Sequence, residues 1–197
     1  MASLLPAALL ALRATHPDIR IILPVIWSEA IRNGAADRVY DIGIDADKVE
    51  RAGVDSQIFA SYPGVIAVPP DHPLVRHDEI TSSPLKDCPM VGLAPEDRAR
   101  ESFDAVMAEA GVTPHYVIET PGAPTVCALV LSGEAVGLVI PFVVEPFRHE
   151  GLIPCPFTPK VPFRADMLFQ PDDGKSRLVK QFGAERMRLR SCGGSRG

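Results

Sequence analysis

Residues 119–142 read ETPGAPTVCALVLSGEAVGLVIPF, and their interpretation decides the fold. The apolar run His115-Tyr116-Val117-Ile118-Glu119 leads into them. A loop that reads as non-helical follows, Thr120-Pro121-Gly122-Ala123-Pro124. Thr125 then opens a short apolar helix, Val126 to Leu131, which Ser132-Gly133 stops. Val136 to Ile140 reads as a buried strand ended by Pro141. Strand, loop, helix, glycine, strand is a βαβ crossover, which places the chain in the α/β class with helices packed on a parallel sheet. In such sheets ligands sit beyond the carboxyl ends of strands. The loop from Thr120 to Thr125 is therefore the first candidate site. With Thr125 as helix cap, the N–H groups after it are expected to lack helical partners and to favour an anion. Thr125 taken singly suits a purely structural cap, but a loop with two prolines and a glycine makes a stiff, open rim.

The winding continues outward from this stretch. Leu4, Leu5, Ala8, Leu9 and Leu12 have helical spacing, with Ser3 as cap and Pro6 in the first turn. Ile19 to Leu23 reads as a strand. Ser28 caps a helix over residues 29–36, and Asp41 to Ile44 is a brief buried strand. The chain thus opens on a helix, where a sheet of this kind normally opens on a strand. Gln57 to Ser61 and Gly64 to Val68 are extended, and Tyr62-Pro63-Gly64 between them marks a crossing between subdomains. Met90 to Leu93 is a strand. Residues 97–110 form the plainest amphipathic helix, with Phe103, Val106, Met107 and Ala110 on one face and Gly111 at its end. Leu152 to Cys155 and Phe163 to Phe169 are strands. Residues 176–187 form a last helix with Leu178, Val179 and Phe182 facing in, and residues 188–197 are expected to be a disordered tail.

Composition narrows the function classes. Hydrophobic residues make up 46% of the 197, enough for a sizeable core. A formal charge of −5, with Lys and Arg scattered except near the C-terminus, argues against nucleic-acid contact by this chain. Cys88, Cys127, Cys155 and Cys192 are too far apart for a metal knuckle or a disulfide framework, which fits a reduced, cytoplasmic compartment. The apolar start has no basic n-region and no cleavage site, so it reads neither as a signal peptide nor as a membrane span.

Catalytic and metal motifs fail on inspection. Gly174-Lys175-Ser176 resembles the end of a phosphate loop, but Phe169 stands where its first glycine belongs. Asp45-Ala46-Asp47 begins like a calcium loop, but Val49 replaces an oxygen ligand. No nucleophile, base and orienting group assemble, so no enzyme, metal or cofactor is expected. What remains is a set of hydroxyls at helix starts, Ser3, Ser28 and Thr125, suited to a small anionic molecule.

Several short motifs carry a resemblance. Leu4-Leu5-Pro6, His16-Pro17-Asp18-Ile19-Arg20, Asp41-Ile42-Gly43-Ile44, and Val68 with Asp71-His72-Pro73-Leu74 stand in an order that resembles the effector-binding domain of LysR-type transcriptional regulators, over about residues 3–186. Glu119, the run Thr125-Val126-Cys127-Ala128-Leu129-Val130, Gly133 and Pro141-Phe142 are similar to a narrower branch. That branch includes the diaminopimelate-responsive activator of lysine synthesis and the regulators of opine catabolism. The resemblance implies a type 2 periplasmic-binding-protein-like fold of two Rossmann-like subdomains with mixed sheets. Residues 1–61 and 162–187 would form subdomain I and residues 62–161 subdomain II, with a small-molecule effector in the cleft. It implies effector contacts at Ser3, Trp27, Ser28, Thr120, Gly122, Thr125, Pro141 and Phe142. The family's helix-turn-helix and the domain's first strand have no counterpart here, so a truncated reading frame is expected. The function implied is sensing of an amino-acid-like or opine-like carboxylate, with homo-oligomers or pairing with full-length regulators. A transporter's solute-binding protein on the same fold is the alternative, and it would need export.

Overall fold

A computed structural model describes residues 4–26, 28–46, 53–133, 135–171 and 176–193. The chain divides into two compact units. Unit 1 holds residues 1–61 and 164–197, and unit 2 holds residues 62–163.

In unit 2 the crossover is present. Strands β4 (Pro89–Leu93) and β5 (His115–Thr120) pair in parallel. Val136, just before β6 (Gly137–Val139), makes a parallel bridge to Met90. Strand β3 (Val65–Val68) pairs antiparallel with β6 and with β7 (Ile153–Pro156). The joined order is β5-β4-β6-β3-β7. The sheet is mixed rather than parallel throughout, because β3 runs against both its neighbours.

Alternation along the strands gives this sheet two buried faces. Ile66, Val68, Met90 and Leu138 pack on one side with Phe103 and Met107 of helix α3 (Arg98–Glu109). Val65, Ala67, Val91 and Val139 pack on the other with Val126 and Val130 of α4 (Ala123–Leu131) and Val144 of α5 (Pro141–Val144). Helix α3 starts where its sequence says: Asp97 Oδ1 accepts the N–H of Ala99 at 2.8 Å and of Arg100 at 3.2 Å. Gly111, at φ 70°, ends it in the left-handed conformation that glycine adopts without strain.

In unit 1 the sheet order is β1-β8-β2, from β1 (Gly43–Asp45), β8 (Pro162–Phe169) and β2 (Asp55–Pro63). Helix α1 (Leu4–Thr15) packs on α6 (Arg177–Gly193), and α2 (Ser28–Ala36) covers β1. Phe59 of β2 stacks on Phe182 of α6 at 6.2 Å.

Three expectations change here. Ile19 to Leu23 is not a strand. A β-branched run has strand propensity, but a strand exists only with a partner, and among the described residues none pairs with this run. Its apolar side chains are consequently open: Ile22 is 72% exposed, Leu23 59% and nearby Val25 96%. The expected tail is helical as far as Gly193, since nothing between Arg188 and Cys192 breaks a helix. Residues 194–197 lie outside the described part. Of the three inward positions on this helix, Val179 and Phe182 are buried while Leu178 is exposed.

Candidate functional site

The carboxyl ends of parallel strands β5 and β6 lie on one edge of the unit 2 sheet, and a helix starts after each. After β5 the chain turns at Pro121 and Gly122. Thr120 Oγ1 accepts the Gly122 N–H at 3.4 Å. Gly122, with extended φ −111° and ψ 114°, is the helix cap residue. Its carbonyl accepts the N–H of Thr125 at 2.9 Å and of Val126 at 3.1 Å. Thr125 is therefore the third residue of α4 and not its cap, and the N–H groups at and after it are bonded within the helix. The sequence reading misses this because it takes Pro124 as part of a non-helical loop. Proline is at home in a first helical turn, where its absent N–H has no bond to lose. Pro124 has no N–H to give, which leaves that of Ala123 as the donor at this helix start. The Thr125 side chain remains exposed beside it, and a Cβ on Gly122 would lie 3.2 Å from Thr125 Oγ1.

After β6, Ile140 caps α5, whose first two residues are Pro141 and Phe142. Phe142 is half-buried and meets Tyr62 edge-on, with ring centroids 5.0 Å apart. Helices α4 and α5 pack together, with Cys127 Sγ 3.9 Å from the Val143 carbonyl oxygen. Thr120, Gly122, Thr125, Pro141 and Phe142 are thus gathered on one sheet edge. In unit 1, Ser28 is the first residue of α2. Ser3 and Trp27 lie outside the described residues.

The same edge of unit 2 carries a charged cluster that the sequence did not reveal. The Arg100 guanidinium donates to the Leu93 carbonyl at 2.8 Å, to Glu119 Oε1 at 2.8 Å and to Asp104 Oδ2 at 2.7 Å. It lies 3.4 Å over the Tyr116 ring, whose hydroxyl donates to Asp104 Oδ1 at 2.6 Å. Burial, then the bond to Asp104, pushes the Tyr116 pKa well up and keeps the phenol protonated. Arg100 ties the ends of β4 and β5 to α3, and its charge is spent on two carboxylates. An anion at this edge must therefore rely on hydroxyls and the helix start.

Unit 1 holds a second charged group. Asp45, at the end of β1, stands opposite Asp166 of β8 in the strand register. Arg32 Nε binds Asp45 Oδ2 at 2.8 Å, and Arg164 binds both oxygens of Asp166 at 2.9 Å. Among the described residues no group of three or more His, Cys, Asp or Glu could hold a metal ion, and no helix is long and apolar enough to cross a membrane.

Comparison with known proteins is consistent with this architecture. The family model described as "LysR substrate binding domain" matches residues 1–185. The regulatory protein NocR of Agrobacterium tumefaciens (strain T37) is 28% identical over 171 residues, which are 87% of this chain and 57% of that protein. The transcriptional activator protein LysR of Escherichia coli (strain K12) is 26% identical over 180 residues, 91% of this chain and 58% of that protein. The chain thus spans less than two thirds of the length of either. The BenM effector-binding domain with its effector benzoate superposes with a TM-score of 0.83 at 17% identity, over 98% of this chain and 88% of that one.

Proposed function

The chain belongs to the LysR substrate-binding-domain family, and on that premise we propose that it senses an amino-acid-like or opine-like carboxylate. The observation that carries this reading is the start of α4. The exposed Thr125 hydroxyl, the half-buried Thr120 and the Ala123 N–H at the positive end of the helix dipole are donors of the kind a carboxylate needs. Gly122 keeps the approach open, and Pro141 and Phe142 supply an apolar wall on the same edge. Ser3, Trp27 and Ser28 are proposed as further contacts on the family pattern. The benzoate held by the BenM domain is also a carboxylate, which favours this chemistry.

The sensing is read as part of a transcriptional regulator in which the ligand shifts a two-state equilibrium and this chain does no chemistry on it. Association with further copies, or with longer relatives, is part of the same proposal, as is a cytoplasmic site of action. Direct contact with nucleic acid is not expected of these residues.

Thermal unfolding of the purified chain tests the reading, with amino acids, diaminopimelate and opines at millimolar concentration. A ligand present at a hundred times its Kd adds about 2.7 kcal/mol, which raises the midpoint by several degrees. The response is expected to weaken in Thr125→Val. A panel without effect on a cooperatively unfolding chain would refute it.

A further inference from the structure

Tyr116 and Glu119 stand three residues apart on β5, and strict alternation would send their side chains to opposite faces of the sheet. The ladder with β4 is interrupted between them. Met90 pairs with Tyr116 and Val91 with Ile118, which leaves Val117 as the extra residue of a β-bulge. The bulge turns the Tyr116 ring and the Glu119 carboxylate to one face, and Arg100 of α3 meets both there. Gly92 is the register partner of Glu119. A Cβ at Gly92 would lie 2.6 Å from Arg100 Nη1 and 2.6 Å from Tyr116 Cδ1, so the guanidinium and the ring occupy the space that a side chain on β4 would fill. One nitrogen of Arg100 then bridges the two strands. Nη1 donates to Glu119 Oε1 on β5 and to the Leu93 carbonyl on β4, both at 2.8 Å.

Replacing a buried ion pair by apolar side chains of like volume is often neutral or stabilising, so what a buried arginine adds here is direction. Its bonds fix the last two rungs of the ladder, Gly92 with Glu119 and Leu93 with Thr120. Thr120 is the first of the contacts assigned to the effector. Its Oγ1 accepts the Gly122 N–H, and Gly122 caps α4. We propose that Arg100, acting through Glu119, is a positioning residue of the effector site. It holds the carboxyl end of β5 so that Thr120, Gly122 and the start of α4 stand in their binding geometry before the ligand arrives. This rests on the sensor reading above and adds to it an ion pair that acts from behind the contacts. A loop ordered in advance has less freedom to lose on binding, so the pair raises affinity without touching the ligand.

Two substitutions of Glu119 in the whole chain test the assignment. Glu119→Ala cuts the link to β5 and leaves Arg100 on Leu93 and Asp104. Glu119→Gln keeps an oxygen for Arg100 to hold. The Glu119 side chain is 43% exposed, so both variants are expected to fold, which their thermal midpoints without ligand check. Titration calorimetry uses the amino acid, diaminopimelate or opine that raises the wild-type midpoint most. Affinity is expected to fall about tenfold in Glu119→Ala and to stay within about twofold in Glu119→Gln. Without ligand, hydrogen–deuterium exchange at Gly122, Ala123, Thr125 and Val126 is expected to quicken in Glu119→Ala, with β3 and β7 unchanged. Unchanged affinity in Glu119→Ala, on a chain that binds a compound of the panel, overturns the proposal and leaves the sensor standing. So does an equal loss in Glu119→Gln, which would make charge rather than position the cause. A loss of affinity with unchanged exchange also overturns it, since Glu119 would then be a ligand contact itself. Exchange that quickens throughout unit 2 does the same, by marking a general loosening. Binding of no panel compound by a wild-type chain that unfolds cooperatively overturns both readings.

Discussion

Arg100 shows how much one residue can organise. Its guanidinium meets a strand carbonyl, two carboxylates and an aromatic face, and its side chain is nearly buried. Such a charge is tolerated because two carboxylates, a carbonyl and an aromatic face surround it. Replacing it by methionine fills the space but strands Asp104 and Glu119 beside each other with no cation. The expected loss is about 3 kcal/mol, measured by urea unfolding. Both carboxylates are partly exposed, which keeps the loss from being larger. A second residue-level expectation concerns alkali. Burial raises the Cys127 thiol from 9.0 to about 11, and burial with the Asp104 bond raises Tyr116 further. Native chain keeps these protons where unfolded chain releases them, so rising pH favours unfolding. Stability is expected to be full below pH 9 and to fall from about pH 9 towards 11, as followed by circular dichroism in a pH series. Cys127 should also resist alkylation at neutral pH while the chain is folded.

At the scale of elements, helix α4 sits unusually close to its sheet. A Cβ on Gly137 would lie 2.5 Å from Val126 Cγ1 and 2.9 Å from the Val91 carbonyl oxygen. The side chain could give way, but the strand carbonyl could not. Gly137→Ala is expected to cost about 1–3 kcal/mol and to lower the thermal midpoint by several degrees. Helix α3 shows what could be read in advance: Asp97, Phe103, Met107 and Gly111 are local signals, each interpretable within a few residues of itself. The crossover around α4 was legible for the same reason. The start of α4 was misplaced by three residues because a proline after a glycine fits a loop as well as a first turn. Ile19 to Leu23 was misread because pairing is a property of two segments, and only one was in view. The Arg100 cluster was invisible for a related reason, since its acceptors lie on β4, α3 and β5. Of the ligand contacts proposed, the five on unit 2 share one sheet edge.

For the molecule as a whole, the open apolar side chains of Ile22, Leu23 and Val25 bear on behaviour in concentrated solution. An exposed apolar run that pairs with no strand among the described residues invites association with another copy. Concentration-dependent self-association is expected in analytical ultracentrifugation, and Ile22→Lys with Val25→Lys should reduce it with little change in thermal midpoint. The order of strands has a different consequence, one of time. Unit 2 is a single run of chain from Tyr62 to Phe163, whereas β8, which lies between β1 and β2, is for the most part made after that run. On a ribosome, the residues of unit 1 that precede Tyr62 emerge before their partners and must wait. A hundred more residues are made and can collapse into their own sheet before the strand that completes unit 1 appears. Helix α1 waits longer still, for α6. The part of unit 1 that precedes unit 2 is thus completed after it, and its apolar helix and exposed apolar run are what the nascent chain shows to chaperones meanwhile.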